Sequence, residues 1–180
     1  MATITLGDKT FRPFIPYAKL EESFDTLAAR INADYAGGTD IPVVLCTLTG
    51  AIMFTAEMLK RLDFNLEVIS VKLSSYQGVN STGTVLTTMG MTGDVKGRRV
   101  IVFEDIVDTG TTVVALRDML LGQGAKDVRI CTMLFKPASY DKSVGIDYVG
   151  LEIPPAFIVG FGLDYNELGR NLKDIYVIDK

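Results

Sequence analysis

The sequence predicts an α/β protein with a parallel-sheet core and flanking helices. Short continuous apolar runs such as VVLCTL and VIVF suit strands buried on both faces. Between them lie segments with apolar residues at helical spacing. No internal repeat or low-complexity linker interrupts this alternation. The length of 180 residues fits one domain with a small appended lobe.

In chain order, residues 3–15 read as a hairpin, TITL and FRPFI about Gly7 and Asp8. Residues 17–35 read as a helix, because Leu20, Phe24, Leu27, Ala28 and Ile31 share one face; Gly37 and Gly38 end it. Residues 41–48 are an apolar strand, 52–62 a helix and 66–73 a strand. Residues 74–84 are polar and glycine-containing, too long for a tight turn, and 85–88 form a short strand after them. A strand at 100–104 precedes a helix at 111–121 that stops at Gly122. Another strand covers 128–135, followed by a loop to about residue 145. Short strands at 148–151, 157–159 and 176–178 complete the chain. Ligands of such sheets bind beyond the carboxyl ends of the strands, so the functional loops are expected at 48–52, 104–112 and 135–145.

Composition narrows the chemistry. The chain is 48% hydrophobic and 22% charged, values of a folded globule, and its net charge of -4 provides no global attraction for nucleic acid or membrane. Cys46 and Cys131 sit in apolar runs and read as core residues in a reducing compartment. The first residues lack the apolar run of a signal peptide, and no stretch approaches a membrane span. Together these point to the cytoplasm. The absence of histidine excludes histidine triads, the usual zinc sites and imidazole proton transfer. Proton transfer falls to a carboxylate, lysine, tyrosine or water.

The segment VIVFEDIVDTGTTV at 100–113 carries the most information. A strand delivers Glu104 and Asp105 to its carboxyl end. After two apolar residues, Asp108, Thr109, Gly110, Thr111 and Thr112 wrap into a helix N-terminus. Glycine permits close backbone approach, and hydroxyls with free amides make an anion cradle without net positive charge. The acid pair would repel a phosphate, so it is expected to face ribose hydroxyls or a divalent cation. Magnesium favours carboxylates, water and substrate phosphates.

This segment closely resembles the phosphoribosyl pyrophosphate signature of the type I phosphoribosyltransferases. The resemblance implies that Asp108, Thr109, Gly110, Thr111 and Thr112 hold the 5-phosphate while Glu104 and Asp105 address the ribose. It also implies that Asp108 lies near N7 of a purine and is the catalytic proton carrier. Lys136, the stretch LEIPPAFIVGF at 151–161 and GLDYNELGR at 162–170 resemble the hypoxanthine-guanine branch in order and spacing. There Lys136 would donate to the purine 6-oxo group, Phe157 would stack on the base and Ile158 would meet the ring edge through its backbone. Asp164 would serve the base site and a second magnesium, and Arg170 the pyrophosphate. Glu104, Asp105 and Asp164 are the implied magnesium acids, with four acids including Asp108 expected around the polyphosphate.

The resemblance implies transfer of a phosphoribosyl group from phosphoribosyl pyrophosphate to hypoxanthine or guanine, with Mg2+ as cofactor. A flat apolar face, a donor at O6 and a group near N7 are what a neutral oxopurine needs. SSY and STG in 74–84 resemble the family's mobile loop, with Ser75 and Tyr76 expected to help exclude water. The family commonly has Leu-Lys-Gly after the first core strand; here Leu48-Thr49-Gly50 stands instead, so backbone amides at Thr49 and Gly50 are expected to meet pyrophosphate, the alternative being that the Thr49 hydroxyl replaces the lysine as donor. The family layout implies a single domain over 1–180, with a core at about 36–150 and a small hood from about 1–15 and 151–180. It also implies a homodimer or homotetramer. The alternatives are a preference for xanthine, or a phosphoribosyl-pyrophosphate-sensing regulator of nucleic acid. The regulator would need a basic surface or a DNA-binding segment.

Overall fold

The computed structural model describes residues 2–75 and 85–179. The strands are β1 (Ile4–Leu6), β2 (Lys9–Ile15), β3 (Val43–Leu48), β4 (Glu67–Ser75), β5 (Val85–Met89), β6 (Arg99–Val107), β7 (Asp127–Phe135), β8 (Tyr148–Glu152), β9 (Ile158–Val159) and β10 (Ile175–Ile178). The helices are α1 (Tyr17–Tyr35), α2 (Ile52–Leu59) and α3 (Thr111–Gly122).

A six-stranded sheet runs in the order β5-β4-β3-β6-β7-β8. Every neighbouring pair from β4 to β8 is parallel, and β5 lies antiparallel on the β4 edge. The expected parallel core with flanking helices is therefore present. Residues buried in the middle strands, Val43 to Cys46 and Val100 to Phe103, have apolar cover on both faces. On one face Phe24 of α1 and Phe54 of α2 meet with centroids 5.5 Å apart, and Phe54 meets Phe103 of β6 at the same separation. On the other face Val113, Leu116 and Leu120 of α3 pack with Val100, Val102 and Ile130. Each such side chain contributes about 1.5–3 kcal/mol of transfer free energy. Cys46 and Cys131 are free and buried, and burial pushes both thiols up, so they act as core residues.

A second, four-stranded sheet has the order β1-β2-β10-β9 and joins the two ends of the chain. Ile15, Ile158, Ile175 and Val177 seat it on the larger core. The Tyr17 amide at the start of α1 donates to Asp174 Oδ1 at 2.7 Å. This satisfies one of the helix's orphan N–H groups from the far end of the sequence.

Boundaries moved where tertiary pairing outweighs local pattern. β6 runs to Val107 rather than stopping at residue 104, because Glu104, Ile106 and Val107 continue the ladder opposite Thr132, Leu134 and Phe135. Glu104 and Asp105 are thus inside a strand, instead of capping its end. α2 ends at Leu59 instead of residue 62, where the Arg61 and Leu62 amides both turn back to Met58 O. Tyr76 and the rest of the 76–84 segment lie outside the described residues; Ser75 is described only as the last residue of β4.

Candidate active site

Three neighbouring parallel strands, β3, β6 and β7, end on the same edge and deliver the three expected loops there. After β6, Asp108 and Thr109 lead to Gly110, which occupies the N-cap of α3 with φ +82°. This left-handed turn favours glycine. The Val114 amide bonds Gly110 O at 3.1 Å and starts the helix. Thr109 and Thr111 place their hydroxyls 3.2 Å apart. A small cavity of about 100 Å³ is lined by Ile106 to Val113. Its free amides, its hydroxyls and the positive end of the α3 dipole make it an anion cradle.

At the end of β7 the chain turns immediately. The Lys136 amide bonds Val107 O at 2.9 Å, which brings the lysine beside the end of β6. Its ammonium is buried and bonds Asp108 Oδ2 at 2.7 Å. Burial pushes the Asp108 carboxyl up, but hydrogen bonds from Lys136 and Ser139 and the lysine's charge outweigh it. The group is held below its ordinary value of 3.8. Asp108 is therefore a carboxylate, ready to accept a proton. Ser139 was not foreseen; its only signal in the sequence is its place in the loop after Lys136.

The acid pair behaves differently. Glu104 is buried, and its Oε2 has no partner among the described residues. Burial, then the charge of Asp105, pushes its carboxyl well up. Burial also raises Asp105, opposed by the Ile106 amide, which donates to Oδ1 at 2.8 Å, and by the charge of Arg170. Asp105 turns toward the β3 loop: a Cβ on Gly50 would lie 2.6 Å from its Cγ and overlap Oδ2.

In that loop the Leu48–Thr49 peptide bond is cis and Thr49 is exposed. The Ala51 and Ile52 amides are spent on Thr47 O and Thr49 O. Gly162 closes over Gly50 from the other side, its α-carbon so near that a Cβ would overlap the Gly50 carbonyl. Arg170 Nη1 bonds Gly162 O at 2.8 Å, and Nη2 pairs with Asp164 at 2.7 Å. Asp105, Gly50, Gly162, Arg170 and Asp164 thus form one stack. The GxG at Gly160 and Gly162, easily mistaken for a fragment of a dinucleotide motif, is the signal for it. Both positions need a bare α-carbon, against Asp174 O and Gly50 O.

Phe157 precedes β9 and is 47% exposed. It meets Tyr165 edge-on at 5.9 Å and Phe11 at 6.3 Å. An open groove of about 540 Å³ runs past it, lined also by Arg12, Pro155, Ala156, Val177, Ile178 and Asp179. Ile158 is buried in β9 opposite Val177. Among the described residues no group of three or more His, Cys, Asp or Glu side chains is placed to hold a metal ion. Asp108 is taken up by Lys136, while both Asp164 oxygens have partners, Arg170 and the Glu167 amide. The donor set is all oxygen, and Glu104 keeps one oxygen unpartnered among the described residues. That suits a cation which takes one or two carboxylates and completes its shell with substrate oxygens, as magnesium does.

Comparison with known proteins agrees with this geometry. A phosphoribosyl transferase domain model matches residues 17–166. The chain is similar to a hypoxanthine-guanine phosphoribosyltransferase of Streptococcus pneumoniae, 39% identical over 165 residues and 91% of each chain. It is 40% identical over 153 residues to the enzyme of that description from Streptococcus thermophilus, covering 84% of each. Among solved structures, a hypoxanthine phosphoribosyltransferase from Staphylococcus aureus superposes with a TM-score of 0.87 at 32% identity, covering 93% of this chain and 91% of the other. No helix among the described residues is long and apolar enough to cross a membrane.

Proposed function

The chain belongs to the phosphoribosyltransferase family, and we propose that it works in purine salvage on hypoxanthine and guanine. It transfers the 5-phosphoribosyl group of phosphoribosyl pyrophosphate to the base, giving IMP or GMP and pyrophosphate. The observation that carries this is the Lys136–Asp108 pair at 2.7 Å beside an anion cradle. O6 and N7 are neighbouring acceptor and donor positions on one edge of an oxopurine. A lysine ammonium and a carboxylate side by side match them.

The residues divide the work. The loop from Asp108 to Thr112 holds the 5-phosphate, and Glu104 and Asp105 meet the ribose hydroxyls. A ribose hydroxyl gives the buried Glu104 Oε2 the partner it lacks among the described residues. Phe157 supplies the stacking face and Ile158 the backbone contact at the ring edge. Lys136 donates to O6. Asp108, held as a carboxylate, accepts the N7 proton as N9 bonds to the anomeric carbon and pyrophosphate leaves. The amides at Thr49 and Gly50, with Arg170, receive the pyrophosphate. Glu104 and Asp105 are the residues that would hold one magnesium and Asp164 a second; magnesium, when bound, neutralises charge on the leaving group. Ser75 and Tyr76 belong to a lid that keeps water from the anomeric carbon. The chain acts as one domain over 1–180, with its end segments, about 1–15 and 151–180, as a hood. The family likeness also supports a homodimer or homotetramer working in the cytoplasm.

The test is nucleotide formation from each purine base with donor and magnesium. IMP and GMP are expected, and excess chelator should stop turnover. No nucleotide from either base, XMP alone, or full activity in chelator would sink the proposal.

A further inference from the structure

We propose that Tyr140 is a positioning residue for the 5-phosphate: its ring holds the backbone of Gly110 in the cradle loop. The proposal rests on assigning that loop to the phosphate, as above. A Cβ on Gly110 would collide with Tyr140 Cε2 and lie 2.9 Å from Cδ2. The ring therefore occupies the space that a side chain at position 110 would take.

Tyr140 is itself fixed on several sides. Its hydroxyl donates to Val144 O. Its ring meets Phe135 at 5.3 Å and 70°, edge to face. Its amide donates to Pro137 O at 3.3 Å. Phe135 and Tyr140 pack on the apolar layer that contains Val107 and Val113, which bracket the cradle loop. The turn that begins at Lys136 thus serves two sites: the lysine reaches Asp108, and four residues later the tyrosine braces Gly110.

The physical reason is preorganisation. Glycine at φ +82° has no side chain to restrict it, so the backbone amides aimed at an anion need an external brace. Without the ring, the loop has space to relax and must be reordered when phosphate binds, which lowers affinity. Tyr140 acts through Gly110 and not on the phosphate itself.

The experiment compares full-length wild type, Tyr140→Ala and Tyr140→Phe. It measures donor KM, kcat, thermal midpoint and inhibition constants for IMP, inosine and pyrophosphate. Tyr140→Ala should raise donor KM and the IMP constant about tenfold, the scale of a lost hydrogen bond to a charged group. The constants for inosine, which lacks the phosphate, and for pyrophosphate should stay within about twofold of wild type. Tyr140→Phe keeps the ring and should stay near wild type. A merely structural role would lower the thermal midpoint and the active fraction while leaving the IMP-to-inosine ratio unchanged, which overturns the proposal. A Phe variant as impaired as the Ala variant would place the effect on the hydroxyl and also overturn it. If wild type forms no IMP, the assignment of function fails and takes this proposal with it; an active wild type with an unchanged ratio in Tyr140→Ala sinks the proposal alone.

Discussion

The α-carbon of Gly50 rests against the carboxylate of Asp105, so closely that a Cβ at position 50 would overlap Oδ2. Position 50 is therefore glycine for want of space, and a larger residue must displace either the β3 loop or Asp105. Gly50→Val should raise donor KM by more than about tenfold, a cost above roughly 1.4 kcal/mol. Thr49 is exposed, and its side chain is expected to matter little. Thr49→Ala should change donor KM by less than about twofold, because the proposed contact runs through backbone amides and not the hydroxyl. Donor KM and pyrophosphate inhibition measured on both variants decide it. A large loss in Thr49→Ala with a small one in Gly50→Val would reverse the assignment.

Asp108→Asn should lower kcat by about 100- to 10,000-fold, the usual worth of a general acid-base group. Donor affinity should hold, because the cradle is built from the amides and hydroxyls that follow Asp108. Single-turnover rates and donor binding, measured separately, check this. Near-normal turnover, or a loss confined to donor binding, contradicts the proton role.

Lys136 lowers the Asp108 carboxyl against the opposing effect of burial. In Lys136→Met burial remains, so the Asp108 value should rise. The acid limb of the kcat/KM profile should then move to higher pH, since the proton role proposed for Asp108 needs the carboxylate. The same depressed value makes a stability contribution in the wild type. It is fully present above the unfolded carboxyl value and lost as pH falls through the folded one. The variant should show less of this acid dependence. It should also lose preference for 6-oxopurines, whereas wild type should use adenine poorly, because the exocyclic amine meets an ammonium. An unmoved acid limb would remove Lys136 as the cause.

Most of the fold was legible because its signals are local. Leu20, Phe24, Leu27 and Ile31 mark α1 by spacing alone, and all four are buried. The cradle was legible because Asp108 to Thr112 are contiguous. What could not be read were relations across the chain. The reach of β6 to Val107 depends on its partner β7. The stack of Asp105, Gly50 and Gly162 joins three distant segments, and the brace of Tyr140 on Gly110 joins two loops. Nothing in the local pattern of either partner specifies such a contact. Asp108 and Asp164 pair with Lys136 and Arg170, cations whose partners depend on where β7 and the 162–170 segment come to lie.

Gly162 and Gly97 allow backbone strain to be separated from crowding. Both have positive φ, +99° and +71°, so an alanine at either site costs about 1–2 kcal/mol from conformation alone. At Gly97 nothing among the described residues lies within 4 Å of the added Cβ. At Gly162 the Cβ would overlap the Gly50 carbonyl and lie 3.1 Å from its carbon. Gly97→Ala should therefore lower stability modestly and leave all kinetic constants alone. Gly162→Ala must push the Gly50 loop or shift its own turn, which also carries the carbonyl that Arg170 bonds. It should lose more stability than Gly97→Ala and, in addition, weaken pyrophosphate inhibition by several-fold, on the order of 1 kcal/mol. Hypoxanthine KM should change less than the pyrophosphate constant. Denaturant midpoints and product-inhibition constants for the two variants provide the comparison. Equal stability losses with unchanged pyrophosphate inhibition would mean that the Gly162–Gly50 contact relaxes freely and does not shape the pyrophosphate site.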